Sequence, residues 1–338
     1  MFNKYKFVII SILVFLIGFF GSYFVLSLTQ KPKTIDKTIT ASGTDEDIQA
    51  PFEPINNLES YNLALLGSGG EGHSGGTLTD SIIVVSINSK NNIVSLISIP
   101  RDLWVPGNRK INAEISANGF GGLKSTLQGI TGLEVQNYIS VDFTGLTRII
   151  DDLRGIEVNI PKTFDDYFYP VKGRENETCG MSNEKIAEFH QKYSGFELEK
   201  QFTCRYETIH FEKGLTKITG EEALKLARSR HGDSDFGRSA RQFAILKGVL
   251  GKLISTDALN NIDDIYKSMG KIVKTDIDLK TTKDLVKTFG DPNSYKITEI
   301  QLSTTNVLNE GKSSAGAYIL FPKAGNFNFS EIKSYLAK

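Results

Sequence analysis

The first pattern along the chain is an uncharged run from Phe7 to Leu28, FVIISILVFLIGFFGSYFVLSL. At about 1.5 Å per residue, roughly 22 helical residues reach across a bilayer core of about 30 Å. The run ends in SLTQKPK with no small-residue cleavage site, so it reads as an uncleaved signal anchor. Lys4 and Lys6 precede it, and Lys31, Lys33 and Lys37 follow, so positive charges alone leave its orientation open. The short head, residues 1–6, favours a cytoplasmic N-terminus with the body outside. Residues 29–57 are polar, punctuated by proline and poor in large apolar side chains, as in a juxtamembrane linker.

From residue 58 to 338 the pattern becomes that of a folded domain. YNLALLG, SIIVVSIN and IVSLISIP are short β-branched apolar runs, the last two separated by the turn-forming SKNN, and they predict buried strands with a hairpin. A helix-like stretch around Gly121 to Gly129, a strand at YISVDF, a helix at TGLTRIIDDLR and a strand at IEVNIP follow. Strands interleaved with helices predict an α/β domain with a mixed sheet flanked by helices. Asn118-Gly119 reads as a helix stop. Residues 165–212 are polar and dotted with aromatics, as in an insertion over the core. Beyond it, GEEALKLARSRH and SARQFAILKGVLGKLI are helical by spacing, with GDSDFG as a turn between them. TTKDLVKTFG, YKITEIQL and FSEIKSYLAK complete the same domain.

Composition narrows the function. Lys+Arg and Asp+Glu are both 39 and the formal net charge is zero, which removes bulk attraction to nucleic acid. An anion site must therefore be local. The two cysteines, Cys179 and Cys204, both fall in the polar segment. Outside the membrane they are expected to form a disulfide, the alternative being two unpaired thiols. Trp104 reads as core or pocket lining. His190 and His210 have no evident partner in the sequence.

LARSRHGDSDFGRSARQ brings Arg228, Arg230, Arg238 and Arg241 together with His231, Asp233, Asp235 and Gln242. Arginine forks bind phosphate oxygens bidentately, so helix ends rich in arginine suit a pyrophosphate. The bland alternative is a solvated, salt-bridged helix pair. A second constellation favours the anion site. Asp80 opens one strand of the predicted hairpin and Arg101 with Asp102 closes the next, so antiparallel pairing makes them neighbours. An acid beside an arginine at a sheet rim suits a divalent metal and a phosphate, although a structural ion pair is the simpler reading.

The order TDSIIVVSIN, SIPRDLWV, KINAEISANG, YISVDFTGLTRIIDDLRGIEVNI and GEEALKLARSRHGDSDFGRSARQ resembles the LytR-CpsA-Psr family of cell-wall enzymes over roughly residues 60 to 255. The resemblance implies an α/β fold with a central mixed sheet and a tunnel for a polyprenyl chain. It also implies Mg²⁺-assisted transfer of a glycopolymer from a polyprenyl-pyrophosphate carrier to peptidoglycan or a related acceptor. By position, Asp80 matches the metal-associated aspartate and Arg101 the pyrophosphate-binding arginine. Arg228, Arg230, Arg238 and Gln242 match further head-group residues, with Asp235 and Arg241 in support. Lys110, Asn112 and Asn118 border the pocket by the same resemblance. Asp235 is the best general base on offer, with Asp80 as alternate. One departure stands out: the family's G-x-D aspartate is Gly69 here, in LLGSGGEGHSGG, with Glu71 or His73 as substitute metal ligands. A polyprenyl-pyrophosphate hydrolase and a non-catalytic, membrane-tethered polyisoprenoid- or glycan-binding regulator are the competing functions.

Overall fold

The computed structural model describes residues 59–71, 75–160, 162–229, 235–255, 270, 272–289 and 294–337. The expected head, span and linker, residues 1–57, lie outside the described residues. No helix among the described residues is long and apolar enough to cross a membrane. The chain divides into two compact units, one holding residues up to Gly145 and from Leu253 onward, the other Leu146–Lys252.

The first unit is built on β1 (Ser60–Ser68), β2 (Thr79–Asn88) and β3 (Ile93–Ser98), the three strands expected from the apolar runs. Residues Tyr61 to Ala64 of β1 are all buried. Such a run, without alternation, is what a strand covered on both faces requires. After β3 come the short β4 (Trp104–Val105) and β5 (Arg109–Lys110), then α1 (Glu114–Thr131), β6 (Asn137–Asp142) and α2 (Phe143–Asp152), which continues into the second unit. The expected stop at Asn118-Gly119 is present inside α1: Gly119 takes the non-helical φ 65° and ψ −169°, ending one helical stretch, and a second begins beyond the kink. Glycine reaches that conformation without steric cost, so the chain can turn sharply between the two stretches.

In the second unit β7 (Ile156–Ile160) and β10 (Gly214–Ile218) pair with each other. IEVNIP is thus a strand, as expected, but lies outside the central sheet. β8 (Phe164–Pro170) and β9 (Tyr206–Phe211) form another antiparallel pair, stacking Phe164 on Phe211 with ring centroids 5.5 Å apart. Between them run α3 (Asn183–Lys192) and the short α4 (Gly195–Glu199). The polar segment 165–212 therefore comprises two paired strands and an excursion, residues 171–205, between them. α5 (Gly220–Arg228) opens on a capping box of Thr219 with Glu222, which satisfies two backbone N–H groups left over at the helix start. A Cβ on Gly220 would fall 2.1 Å from the Thr147 carbonyl oxygen, so only glycine fits there. α6 (Asp235–Ser255) follows.

The chain then adds β11 (Val273–Thr275), α7 (Leu279–Phe289), β12 (Lys296–Gln301), β13 (Leu308–Lys312), β14 (Tyr318–Pro322) and α8 (Ser330–Leu336) to the first unit. Its central sheet has the order β11-β6-β1-β2-β3-β12. β1 runs parallel to β6 and antiparallel to β2, and β12 runs parallel to β3. This is the expected mixed sheet. Its core joins Leu66, Val84, Ile97, Leu123, Leu127 and Ile332 from strands and helices far apart in sequence.

Cys179 and Cys204 are bonded to each other, closing a loop with a sequence separation of 25. A closed loop of that length restricts the unfolded chain by about 3 kcal/mol. Reduction is expected to lower the melting temperature in calorimetry run with and without reductant; an unchanged melt would show that the excursion folds without the bridge.

Candidate functional site

In the first unit the site grows from one irregularity in the sheet. β1 and β2 keep register as far as Gly67 opposite Ser81, and the next pair is Ser68 opposite Thr79. Asp80 is therefore the extra residue of a β-bulge, and a bulge re-aims the side chain it carries. β3 ends at Ser98, and a turn closed by the Leu103 N–H on the Pro100 carbonyl (3.0 Å) presents Arg101 and Asp102. The Arg101 guanidinium meets the Asp80 carboxylate in a hydrogen-bonded ion pair. Arg101 Nε lies 3.6 Å from Asp102, and Lys110 Nζ donates to Asp102 at 2.6 Å. All four side chains are between about a quarter and two-fifths exposed. The result is an alternating row, Asp80, Arg101, Asp102, Lys110, at one sheet rim. Lys110 is a partner of Asp102 that the hairpin pattern does not show.

The turn is braced from the far end of the chain: the Leu320 N–H donates to the Asp102 carbonyl at 3.0 Å, and Leu103 bridges to Leu320. Asn112 is buried; Asn118 donates to Glu114 at 2.7 Å, and Glu114 pairs with Arg109 at 3.3 Å. These residues support the start of α1. Trp104 is half-buried in β4.

At the same rim the Gly69 position has a neighbour that the sequence reading missed. Gly70 takes φ +82°, and a Cβ there would lie 2.8 Å from Cβ of Asp142 and 2.9 Å from its Oδ2. Asp142 ends β6 opposite Ser68 and caps α2, accepting from the Gly145 N–H at 2.7 Å. The signal for it was an aspartate between a strand and a helix, the usual N-cap choice. Glu71 is exposed on a turn, and His73 lies outside the described residues.

The donor set can be weighed against Mg²⁺. Among the described residues, no group of three or more His, Cys, Asp or Glu side chains could hold a metal ion. Mg²⁺ commonly uses one or two carboxylates, several waters and substrate phosphates. A rim carrying Asp80 beside Arg101 fits that mode and not a cage built of protein ligands.

In the second unit α5 delivers Arg228 at its last turn and α6 carries Arg238, Arg241 and Gln242, spaced to share one helix face. Arg228 lies over the Tyr169 ring, 5.8 Å from its centroid, with Nη1 3.5 Å from the phenol oxygen. Burial pushes the Tyr169 phenol pKa up, and Arg228 with Lys225 opposes that rise. Arg238 and Gln242 are half-buried. Arg241 is fully buried, donating from Nε to the Leu226 carbonyl (2.9 Å) and from Nη2 to the Ser229 carbonyl (2.8 Å). Asp235 opens α6, and Arg230, His231 and Asp233 lie outside the described residues. Arg228, Arg238, Arg241 and Gln242 belong to this unit, and Asp80, Arg101 and Asp142 to the other.

His210 corrects an expectation. It has partners, Asp165 at 2.7 Å and Glu212 at 3.1 Å, because β9 sets it opposite Asp165 of β8. Spacing along the chain gives no hint of that cross-strand pairing.

Comparison with known proteins adds the following. The model of the LytR_cpsA_psr family matches residues 22–328. A Bacillus cereus relative named polyisoprenyl-teichoic acid–peptidoglycan teichoic acid transferase TagU is 28% identical over 295 residues, covering 85% of this chain and 84% of the relative. The Bacillus subtilis protein TagV, named for the same activity, is 28% identical over 238 residues, 68% of this chain. The match spans about half, 52%, of that relative's length. Of solved structures, B. subtilis TagV superposes with a TM-score of 0.57 at 26% identity, covering 82% of this chain and 96% of that one. A Streptococcus agalactiae protein superposes at 0.60 and 21% identity, covering 85% and 91%, a likeness of fold alone.

Hydrogen bonds to Asp165 and then Glu212 hold the His210 pKa above its ordinary 6.5. The stability they add is full below the unfolded value and is lost as pH rises through the folded one. A proton NMR titration is expected to place His210 above 6.5, and Asp165→Asn to lower it; an unmoved midpoint in that variant would break the assignment.

Proposed function

Because the chain belongs to the LytR-CpsA-Psr family, we propose that it transfers an anionic or other glycopolymer from a polyprenyl-pyrophosphate carrier to peptidoglycan or a related envelope acceptor. The observation that carries this reading is the bulge that sets Asp80 against Arg101, which the family resemblance marks for the metal and for the pyrophosphate respectively. The names of the TagU and TagV relatives support the reaction class. Residues 7–28 are read as a single membrane span with the N-terminus cytoplasmic, residues 29–57 as its linker, and the body as extracytoplasmic, where the disulfide is at home.

The proposed chemistry is displacement at phosphorus. An acceptor hydroxyl oxygen bonds to the phosphorus bearing the glycan, the phosphoanhydride breaks, and polyprenyl phosphate leaves. The hydroxyl proton passes to a base, for which Asp235 is the candidate and Asp80 the alternate. Arg101 is already oriented by Asp80, and Asp102 is itself held by Lys110. The guanidinium therefore meets developing phosphate charge without first having to be ordered. Arg228, Arg230, Arg238 and Gln242 are read as further head-group donors. Asp80 would hold Mg²⁺ together with substrate phosphates, and the ion would supply charge neutralisation.

The test is turnover of a short-chain polyprenyl-pyrophosphate oligosaccharide with peptidoglycan by the full-length chain in detergent, with Mg²⁺ and with EDTA. Glycan joined to peptidoglycan, and lost with EDTA, is the expected result. Free phosphate without joined glycan would make the protein a hydrolase. Bound lipid without turnover under any divalent ion would make it a binding module.

Arg101→Ala is expected to lower kcat by about 10² to 10³, as when one preorganised donor to developing charge is removed. Its melting curve should stay close to the parent's, since a partly exposed ion pair at a sheet rim contributes about 1 kcal/mol or less. Undiminished turnover in this variant would remove Arg101 from the mechanism.

A further inference from the structure

α5 ends at Arg228, and the next residue, Ser229, is 1% exposed. Each of its polar groups is held. The N–H donates to the Lys225 carbonyl at 3.0 Å, Oγ donates to Asp166 Oδ2 at 2.7 Å, and the carbonyl accepts from Arg241 Nη2 at 2.8 Å. Asp166 and Arg241 are each 1% exposed as well, so a buried carboxyl group and a buried guanidinium meet through a single serine. Buried ionic groups persist where hydrogen bonds satisfy them, and here those bonds converge on the residue after Arg228.

Asp166 also acts on the other side of Arg228. Its Oδ1 accepts from the Phe168 N–H at 2.9 Å, inside the register shift of β8 between Asp166 and Tyr169. That irregularity sets Tyr169, whose ring and hydroxyl Arg228 touches. Arg241, stacked 4.6 Å from the Phe164 centroid, satisfies carbonyls at the C-terminal end of α5 that have no partner within the helix. The same three residues thus fix both the backbone from which Arg228 departs and the aromatic ring against which it rests.

We propose that Asp166, Ser229 and Arg241 are positioning residues for Arg228, and that Arg241 acts through this lock and not as a donor to the head group. The proposal rests on the reading of Arg228 as a pyrophosphate ligand. It assigns a role to Asp166, which no sequence motif marks, and explains a buried arginine in a motif otherwise suited to phosphate.

The experiment is a double-mutant cycle read by calorimetric binding of inorganic pyrophosphate to the full-length chain, with turnover measured in parallel. Arg228→Ala and Ser229→Ala are each expected to weaken binding about tenfold, the scale of a hydrogen bond involving a charged group. In the Arg228→Ala background, Ser229→Ala should add nothing, because its effect passes through Arg228. Ser229→Thr, which keeps the hydroxyl, should recover most of the loss. Should Ser229→Ala not fold, Asp166→Asn, of equal size, takes its place in the cycle. Losses that add in the double variant, or a Ser229→Ala protein that binds like the parent, would overturn the lock alone. A parent chain that binds no pyrophosphate, or an Arg228→Ala variant that binds as well as the parent, would overturn the reading of Arg228 beneath it.

Discussion

β1 has a parallel neighbour on one side and an antiparallel one on the other, and this two-sided pairing governs what reaches the sheet rim. A strand buried on both faces must satisfy its backbone within the sheet, so its register cannot drift. The misfit between the strands' lengths is expelled to the last pair, where Asp80 bulges. β6, pinned to the same strand, ends at the same rim and delivers Asp142 beside Gly70. The acids there are brought to the rim by the hydrogen-bond ladder, and their own contacts then hold the carboxylates.

The two units hold their arginines in different ways. Arg101 sits in an alternating row of charges, partly solvated, in which each neighbour offsets the last. Solvent screens such a row, so its worth is orientation more than stability. Arg241 is enclosed, with backbone carbonyls as partners; in that setting an unsatisfied donor would be costly. The first arrangement leaves the guanidinium partly exposed at the rim, while the second commits it to the fold.

Much of this was legible in the sequence because it was local. Uninterrupted apolar runs marked β1, β2 and β3, and the hairpin logic alone put Asp80 beside Arg101. The cysteine pair followed from its polar setting. Sequence reading failed where pairing between distant segments decides. The departure of β7 into its own small sheet, the partners of His210 across a strand pair, and the burial of Arg241 against α5 all depend on register and packing that no spacing encodes. Gly119 was legible as a helix stop, but not that a second helical stretch would start directly beyond it. Asp142 was readable as a helix cap, but its closeness to the glycine loop required the parallel pairing of β6 with β1.

The brace between Leu320 and the turn carrying Arg101 and Asp102 has a consequence for the order of assembly. The turn lies early in the chain, and its support comes from a hairpin near the end, as does β12, which flanks β3. Contacts between segments so distant form late, after the intervening chain has been made and folded. As the protein is synthesised from its N-terminus, the rim carrying Asp80 and Arg101 therefore reaches its final shape only when the last strands dock. An incomplete chain carries the acid and the arginine but not the frame that aligns them, so competence arrives with completion.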